Sequence, residues 1–274
     1  MHFLRSLVLL ACFSLLTNSI AQAQIDPHLG KTIMGKTVTV KATGTSPLRT
    51  VDLGTVFGTD SAGRIDITLS YRNQVNQMVS VQNLPVFCTD LYQPISLNTV
   101  YNDYKALDAV AGVFPVYNAN NRVDASQMLA LEYLYGTAFG TTANYFSAVT
   151  NGSWSSNKLA GFQVALWEIA MDTHRNSSGF PTFSLSNGDI YNSVNQSVEN
   201  YARGFLGNVR NAISSGSGPR IELLVLTNTN KQDLLLPYDP FSPLPPIPEP
   251  STYALFGAFS LAGVVALRKR LSRP

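Results

Sequence analysis

The residue pattern of this chain predicts an α+β domain in which a helical portion is inserted into an antiparallel β-sheet or sandwich. Three observations carry the prediction. Residues 36–90 are strand-like, residues 124–213 are helix-like, and residues 221–236 return to short apolar runs around a turn.

In the first stretch, Thr37-Val38-Thr39-Val40 and Arg64-Ile65-Asp66-Ile67-Thr68-Leu69 alternate polar and apolar side chains, the two-residue period of a half-buried strand. Residues 78–81 and 86–88 predict two further short strands, separated by Asn83-Leu84-Pro85. Asn102-Asp103-Tyr104-Lys105 reads as a polar turn. Asp124 can cap a helix over 125–135 that Gly136 stops. Ser155 or Ser156 can cap a second helix over 157–171. A third, over 189–213, puts Tyr191, Val194, Val198, Tyr201, Phe205 and Val209 on one face and ends at Gly216 and Gly218. Residues 221–226 and 233–236 read as a closing hairpin around Asn228-Thr229-Asn230.

Both ends differ from this body. Residues 1–23 have the order of a signal peptide: Arg5, an apolar run over 7–16, and the small-x-small site Ala21-Gln22-Ala23. The apolar run falls short of the ~20 residues of a spanning helix. The expected division is a body over 24–240, a Pro-rich linker over 241–247 and a terminal segment over 248–274. In that last segment Pro248-Glu249-Pro250 precedes residues 251–267, which carry no charge, and Arg268-Lys269-Arg270 follows. At ~1.5 Å per residue the uncharged stretch rises about 26 Å, enough for a thin hydrocarbon core. The basic cluster belongs on the cytoplasmic side, which leaves the body outside.

The tail resembles the PEP-CTERM sorting signal in motif, order and place. The resemblance implies a Gram-negative-type host that makes exopolysaccharide. It also implies an exosortase as partner, a membrane transpeptidase that recognises the motif and removes the tail. The chain is then exported, transiently anchored in the inner membrane through 251–267, and released to the cell surface or extracellular matrix.

Charge excludes one class of partner. Arg5, Arg268, Lys269, Arg270 and Arg273 lie in the terminal segments, and the span from Asp26 to Glu249 holds 14 basic against 17 acidic residues, a net charge of −3. No basic stripe or aromatic-plus-Arg platform points to nucleic acid.

Cysteine usage is the strongest internal clue. Cys12 leaves with the signal peptide, so Cys88 is alone in the exported body. It is buried and inert, paired between chains, or chemically used. Gln163 is the second clue. It lies four residues after Leu159 and three before Leu166, within the apolar face Leu159, Phe162, Leu166, Ile169 and Ala170. A buried primary amide needs partners. A strand backbone is one solution; conversion of its carbonyl carbon to a thioester, with loss of ammonia, is another.

Phe87-Cys88-Thr89-Asp90-Leu91 and Phe162-Gln163-Val164-Ala165-Leu166-Trp167 resemble the two halves of the bacterial Cys–Gln thioester domain. That family has an aromatic-Cys motif on a strand and a Gln-x-Ala-hydrophobic-Trp motif on a later helix. Carried over, Cys88 is the sulfur partner and Gln163 the acyl partner, with Phe87, Ala165 and Trp167 in supporting positions. The family usually has Thr before the Gln; this chain has Phe162. The resemblance implies a covalent adhesin that acylates a target amine in a single-use reaction, so not an enzyme by turnover.

Two other classes stay open. One is a structural biofilm or exopolysaccharide-matrix protein with no formed bond. The other is a cysteine hydrolase or transpeptidase with a Cys–His pair. For that pair the body offers only His28, near the new N-terminus, and His174, about 16 Å along a continued helix from Gln163. No cofactor is expected. No metal is expected either, since a single Cys makes no thiolate cluster and Asp90, Asn102, Asp103 and Asp108 lack EF-hand spacing. Trp154 reads equally as core or as part of a sugar-binding face.

Overall fold

The computed structural model describes residues 29–240, except 47, 54–57, 92, 113–122, 172–173, 175–180, 187–189 and 191–194. The expected signal peptide, linker, sorting motif, 251–267 helix, basic cluster and His28 lie outside the described residues. Among the described residues no helix is long and apolar enough to cross a membrane.

The α+β class is borne out, with a mostly antiparallel β portion, but six strands close into a barrel rather than pack as a sandwich. They are β1 (Thr37–Thr45), β4 (Ile65–Arg72), β5 (Met78–Cys88), β8 (Lys231–Pro237), β7 (Leu223–Asn228) and β6 (Val100–Asp108), in that order around the wall. Strand β1 pairs with both β4 and β6, and this double pairing closes the sheet and removes its free edges. Strands β2 (Arg49–Asp52) and β3 (Thr59–Ala62) form a separate hairpin.

Paired residues share a face of the sheet. Val40 opposite Leu69, Ala42 opposite Ile67, Ala106 opposite Leu226 and Leu226 opposite Leu234 are all buried and line one face. Cys88, opposite Leu234, belongs to that face. Its neighbour Phe87 points the other way, into aromatic side chains of the helices, with ring centroids 4.7 Å from Phe162 and 6.4 Å from Tyr145.

The helices are α1 (Leu29–Ile33), α2 (Ala125–Phe139), α3 (Thr142–Thr150), α4 (Ser156–Met171) and α5 (Gln196–Ser215). Asp124 caps α2 as its sequence suggests, in a reciprocal capping box with Gln127. Gly136 does not stop that helix, which runs a further three residues to Phe139. It is glycine for another reason: the Pro219–Arg220 main chain lies where a Cβ would project. Gly216 closes α5 in the left-handed conformation expected of it, at φ 61°. Helix α5 begins at Gln196, capped by the extended Asn195, and not at the expected 189; Tyr191 and Val194 of its expected face lie outside the described residues. Of its expected apolar face Val198, Phe205 and Val209 are buried, whereas Tyr201 is 41% exposed.

Two strand expectations fail in a common way. Asn83-Leu84-Pro85 does not separate two strands but lies within the single β5. Pro85 still accepts a partner because Asp66 of β4 lies opposite it, and Asn83 takes the positive-φ conformation where the β4–β5 register shifts. Asn102–Lys105 is strand, not turn: Tyr104 and Lys105 pair with Val38 and Thr37 of β1. Its polar look arises because Asn102 and Asp103 are exposed while Tyr104 turns inward.

Candidate functional site

Cys88 ends β5 at a place where the sheet changes partner. Strand β4 pairs with β5 up to Ile65 opposite Val86. Continuing that register would put Gly63 opposite Cys88, but the chain turns away at Gly63 toward β3. Strand β8 still covers the other edge, with Leu234 opposite Cys88. The main chain of Cys88 therefore lacks a strand neighbour on the β4 side.

Helix α4 supplies the missing partner. The Cys88 N–H donates to Gln163 Oε1 at 3.1 Å, and Gln163 Nε2 donates to the Cys88 carbonyl at 2.7 Å. The side-chain amide thus acts as one more peptide group of the sheet. The Cys88 thiol lies 3.5 Å from the same Oε1. Gln163 is fully buried and Cys88 is 5% exposed.

Several contacts fix the helix that presents Gln163. Every residue from Leu159 to Met171 is buried. Gln127 of α2 donates through Nε2 to the carbonyls of Ile169 and Ala170 at 3.1 Å each, satisfying acceptors in the last turn of α4. Gly161 lets α5 come close, since a Cβ there would meet Tyr201 Cβ at 2.5 Å and the Val198 carbonyl at 2.9 Å. On the strand side, the Tyr145 hydroxyl donates to the Pro85 carbonyl at 2.9 Å and ties α3 to β5 three residues before Cys88.

Electrostatics oppose ionisation of the sulfur. Burial pushes the Cys88 thiol well above its usual range, and the carboxylates of Asp60 and Asp90 push it further. The Cys88 main chain and the Trp167 indole act in the opposite direction. Trp167 lies one turn beyond Gln163 on α4 and is 1% exposed. Its Nε1–H is a buried donor with no partner of ordinary hydrogen-bond geometry.

The residues singled out in the sequence thus divide. Phe87, Cys88, Gln163 and Trp167 come together at the β5–α4 contact. Ala165 is buried in α4. Phe162, which stands where the resembled family has Thr, fills an aromatic cluster with Phe87, Tyr135 and Phe139 instead of offering a hydroxyl. Trp154 also belongs to the core, stacked on Phe139 and Phe205 at 4.5 and 5.5 Å. Among the described residues no group of His, Cys, Asp and Glu could hold a metal ion. Sequence reading missed Asp60, Gln93, Pro94, Ile95 and Leu97, which with Leu91 wall a cleft of about 550 Å³ opening over Cys88 and Trp167. Nothing local in the sequence marks them, because the β2–β3 hairpin and these residues after β5 meet there only through the fold.

The remaining evidence lies in the tail. Residues 246–270 match the PEP-CTERM protein-sorting motif. This chain is an exosortase substrate. The match includes Pro248-Glu249-Pro250 and Arg268-Lys269-Arg270, and it makes the protein an exported one whose C-terminal tail is a transient membrane anchor. Searches of curated proteins and of solved structures found no match to the chain.

Proposed function

We propose that the body of this exosortase substrate is a surface or extracellular-matrix protein that joins covalently to a partner amine through a Cys88–Gln163 thioester. The observation that carries the reading is the clamp on the Gln163 amide, with both its polar atoms bonded to Cys88 and the thiol against its oxygen. In the forming step the Cys88 S–H adds across the amide. An S–C bond forms at Gln163 Cδ, the C–N bond breaks, and ammonia leaves with the thiol proton. Negative charge that develops on Oε1 meets the Cys88 N–H already directed at it.

In the attachment step a neutral primary amine attacks the same carbon. An N–C bond forms, the S–C bond breaks, and Sγ takes the proton that the nitrogen releases. The product is an amide between partner and Gln163 and a free Cys88 thiol. Burial of the site restrains hydrolysis until a partner reaches it. Each molecule reacts once, so the protein is not an enzyme by turnover. After exosortase removes the tail, the body acts at the cell surface or in the matrix.

A second reading has its own support. Both polar atoms of the Gln163 amide are hydrogen-bonded as an amide, and the thiol is held protonated. Both suit a structural biofilm or exopolysaccharide-matrix protein in which Cys88 and Gln163 only fasten α4 to β5.

Mass spectrometry separates the two. A formed bond lowers the intact mass of the purified body by one ammonia and protects Cys88 from alkylation. Methylamine then exposes the thiol and leaves a methylamide on Gln163. Ready alkylation of native Cys88 beside an unmodified Gln163 would establish the structural reading.

A further inference from the structure

We propose that the cleft over Cys88 recognises a primary alkylammonium group, such as a lysine side chain, and that Asp60 selects it. The proposal rests on the thioester reading and adds what decides which nucleophile reaches the bond.

The cleft has two kinds of wall. Leu48, Leu91 and Leu97 give it apolar sides, and Leu48 and Leu97 stay partly exposed at 37% and 50%. Asp60 is the one charged side chain among its described lining residues. The Asp60 carboxylate accepts the Ser61 N–H at 2.6 Å and forms no ion pair with a described residue. A single uncompensated negative charge beside an apolar channel complements a methylene stem that ends in a cation. Trp167 also lines the cleft, so its indole N–H reports on what enters beside Cys88.

The same charge explains selectivity against water. Departure of Cys88 as thiolate is opposed by burial and by Asp60 and Asp90. Water carries no charge by which Asp60 could hold it in the cleft, whereas an alkylammonium does. The ammonium binds at Asp60 and passes one proton to solvent, and the nitrogen lone pair then attacks. The resulting cationic adduct offsets the carboxylates and delivers its proton to Sγ as the S–C bond breaks.

The test uses the full exported body and two nucleophiles. Methylamine is cationic at neutral pH, and hydroxylamine is largely neutral. In Asp60→Asn the ratio of methylamine to hydroxylamine opening rates should fall about tenfold, and Asp60→Glu should restore most of it. An unchanged ratio overturns the role of Asp60. Recognition is also measured without the bond, in Cys88→Ala, by titrating butylammonium chloride and following the Trp167 indole N–H by NMR. A saturable shift that Asp60→Asn abolishes supports the cleft as an alkylammonium site; no shift overturns it. Absence of ammonia loss from the unsubstituted protein defeats the thioester reading itself, an outcome distinct from either.

Discussion

Cys88 and Gln163, 75 residues apart, are joined as two peptide groups of a sheet are joined, with the Gln163 side chain occupying the place that β4 vacates. Both hydrogen bonds use the main chain of Cys88, and only the 3.5 Å contact uses its sulfur. The pair is thus a structural joint first, and the reactive geometry is built on it.

The two partners should therefore differ in what their loss does to stability. Gln163→Ala strips two buried main-chain groups of their partners and should destabilise the body by on the order of 3 kcal/mol. Cys88→Ala keeps both hydrogen bonds and should destabilise by about 1 kcal/mol when compared with protein whose thioester is open. Denaturant unfolding of the two variants measures the difference. Equal losses would show that the amide–peptide pairing contributes little.

Gly161 connects helix packing to the site. It sits two residues before Gln163, and its bare Cα admits the Tyr201 side chain and the α5 main chain near Val198 and Ala202. Gly161→Ala must push α4 away from α5, at about 1–3 kcal/mol for an overpacked contact. Because Gln163 rides on α4, the same shift should loosen its clamp on Cys88. The expected result is a lower melting temperature together with readier alkylation of Cys88 after methylamine treatment and amine removal. A variant with lowered stability and unchanged alkylation would separate the helix contact from the site.

Much of this was legible where local chemistry decides. The Asp124 cap, the Gly216 stop and the alternating 37–40 and 64–69 strands follow from capping and period alone. Burial of Gln163 was also legible, but for an incomplete reason: α4 is not one-sided, since every residue from Leu159 to Met171 is buried, Glu168 included. Barrel closure was not legible, because it depends on β1 finding both β4 and β6, and their registers are set by the fold. Helix α3 went unread although Thr141 caps it, because only Thr142, Tyr145 and Val149 of its nine residues are buried. Asp60 was invisible for the same reason as the barrel: its proximity to Cys88 exists only after β3 is in place.

Export and tail removal should be separable by mutation. The sorting motif lies at 246–270, whereas the expected signal peptide lies at the other end of the chain. Replacing Pro248, Glu249 and Pro250 with alanines should leave export intact and make the full-length, membrane-bound form accumulate. Fractionation and immunoblotting in an exosortase-bearing host measure this. Normal maturation of the substituted protein would show that removal of the tail does not use the motif.

Asp233 gives the body a predictable pH dependence. It lies on β8 beside Leu234, the strand partner of Cys88, and is almost fully buried. One carboxylate oxygen accepts the Asn228 N–H at 3.0 Å, and Oδ2 has no partner. Burial pushes this carboxyl up to about 7 from an ordinary 3.8, with Asp90 adding to it and hydrogen bonds from Asn228 and Thr227 opposing it. The folded state therefore holds a proton that the unfolded chain releases at lower pH. Its contribution to stability is fully present below about 4 and is lost as pH rises to about 7, with no further loss above. Glu222, also raised by burial, adds the same sign. Denaturation midpoints should fall between about pH 5 and about pH 8. Asp233→Asn, which cannot ionise, should remove most of that slope, and a variant that keeps the full slope would assign it to other groups.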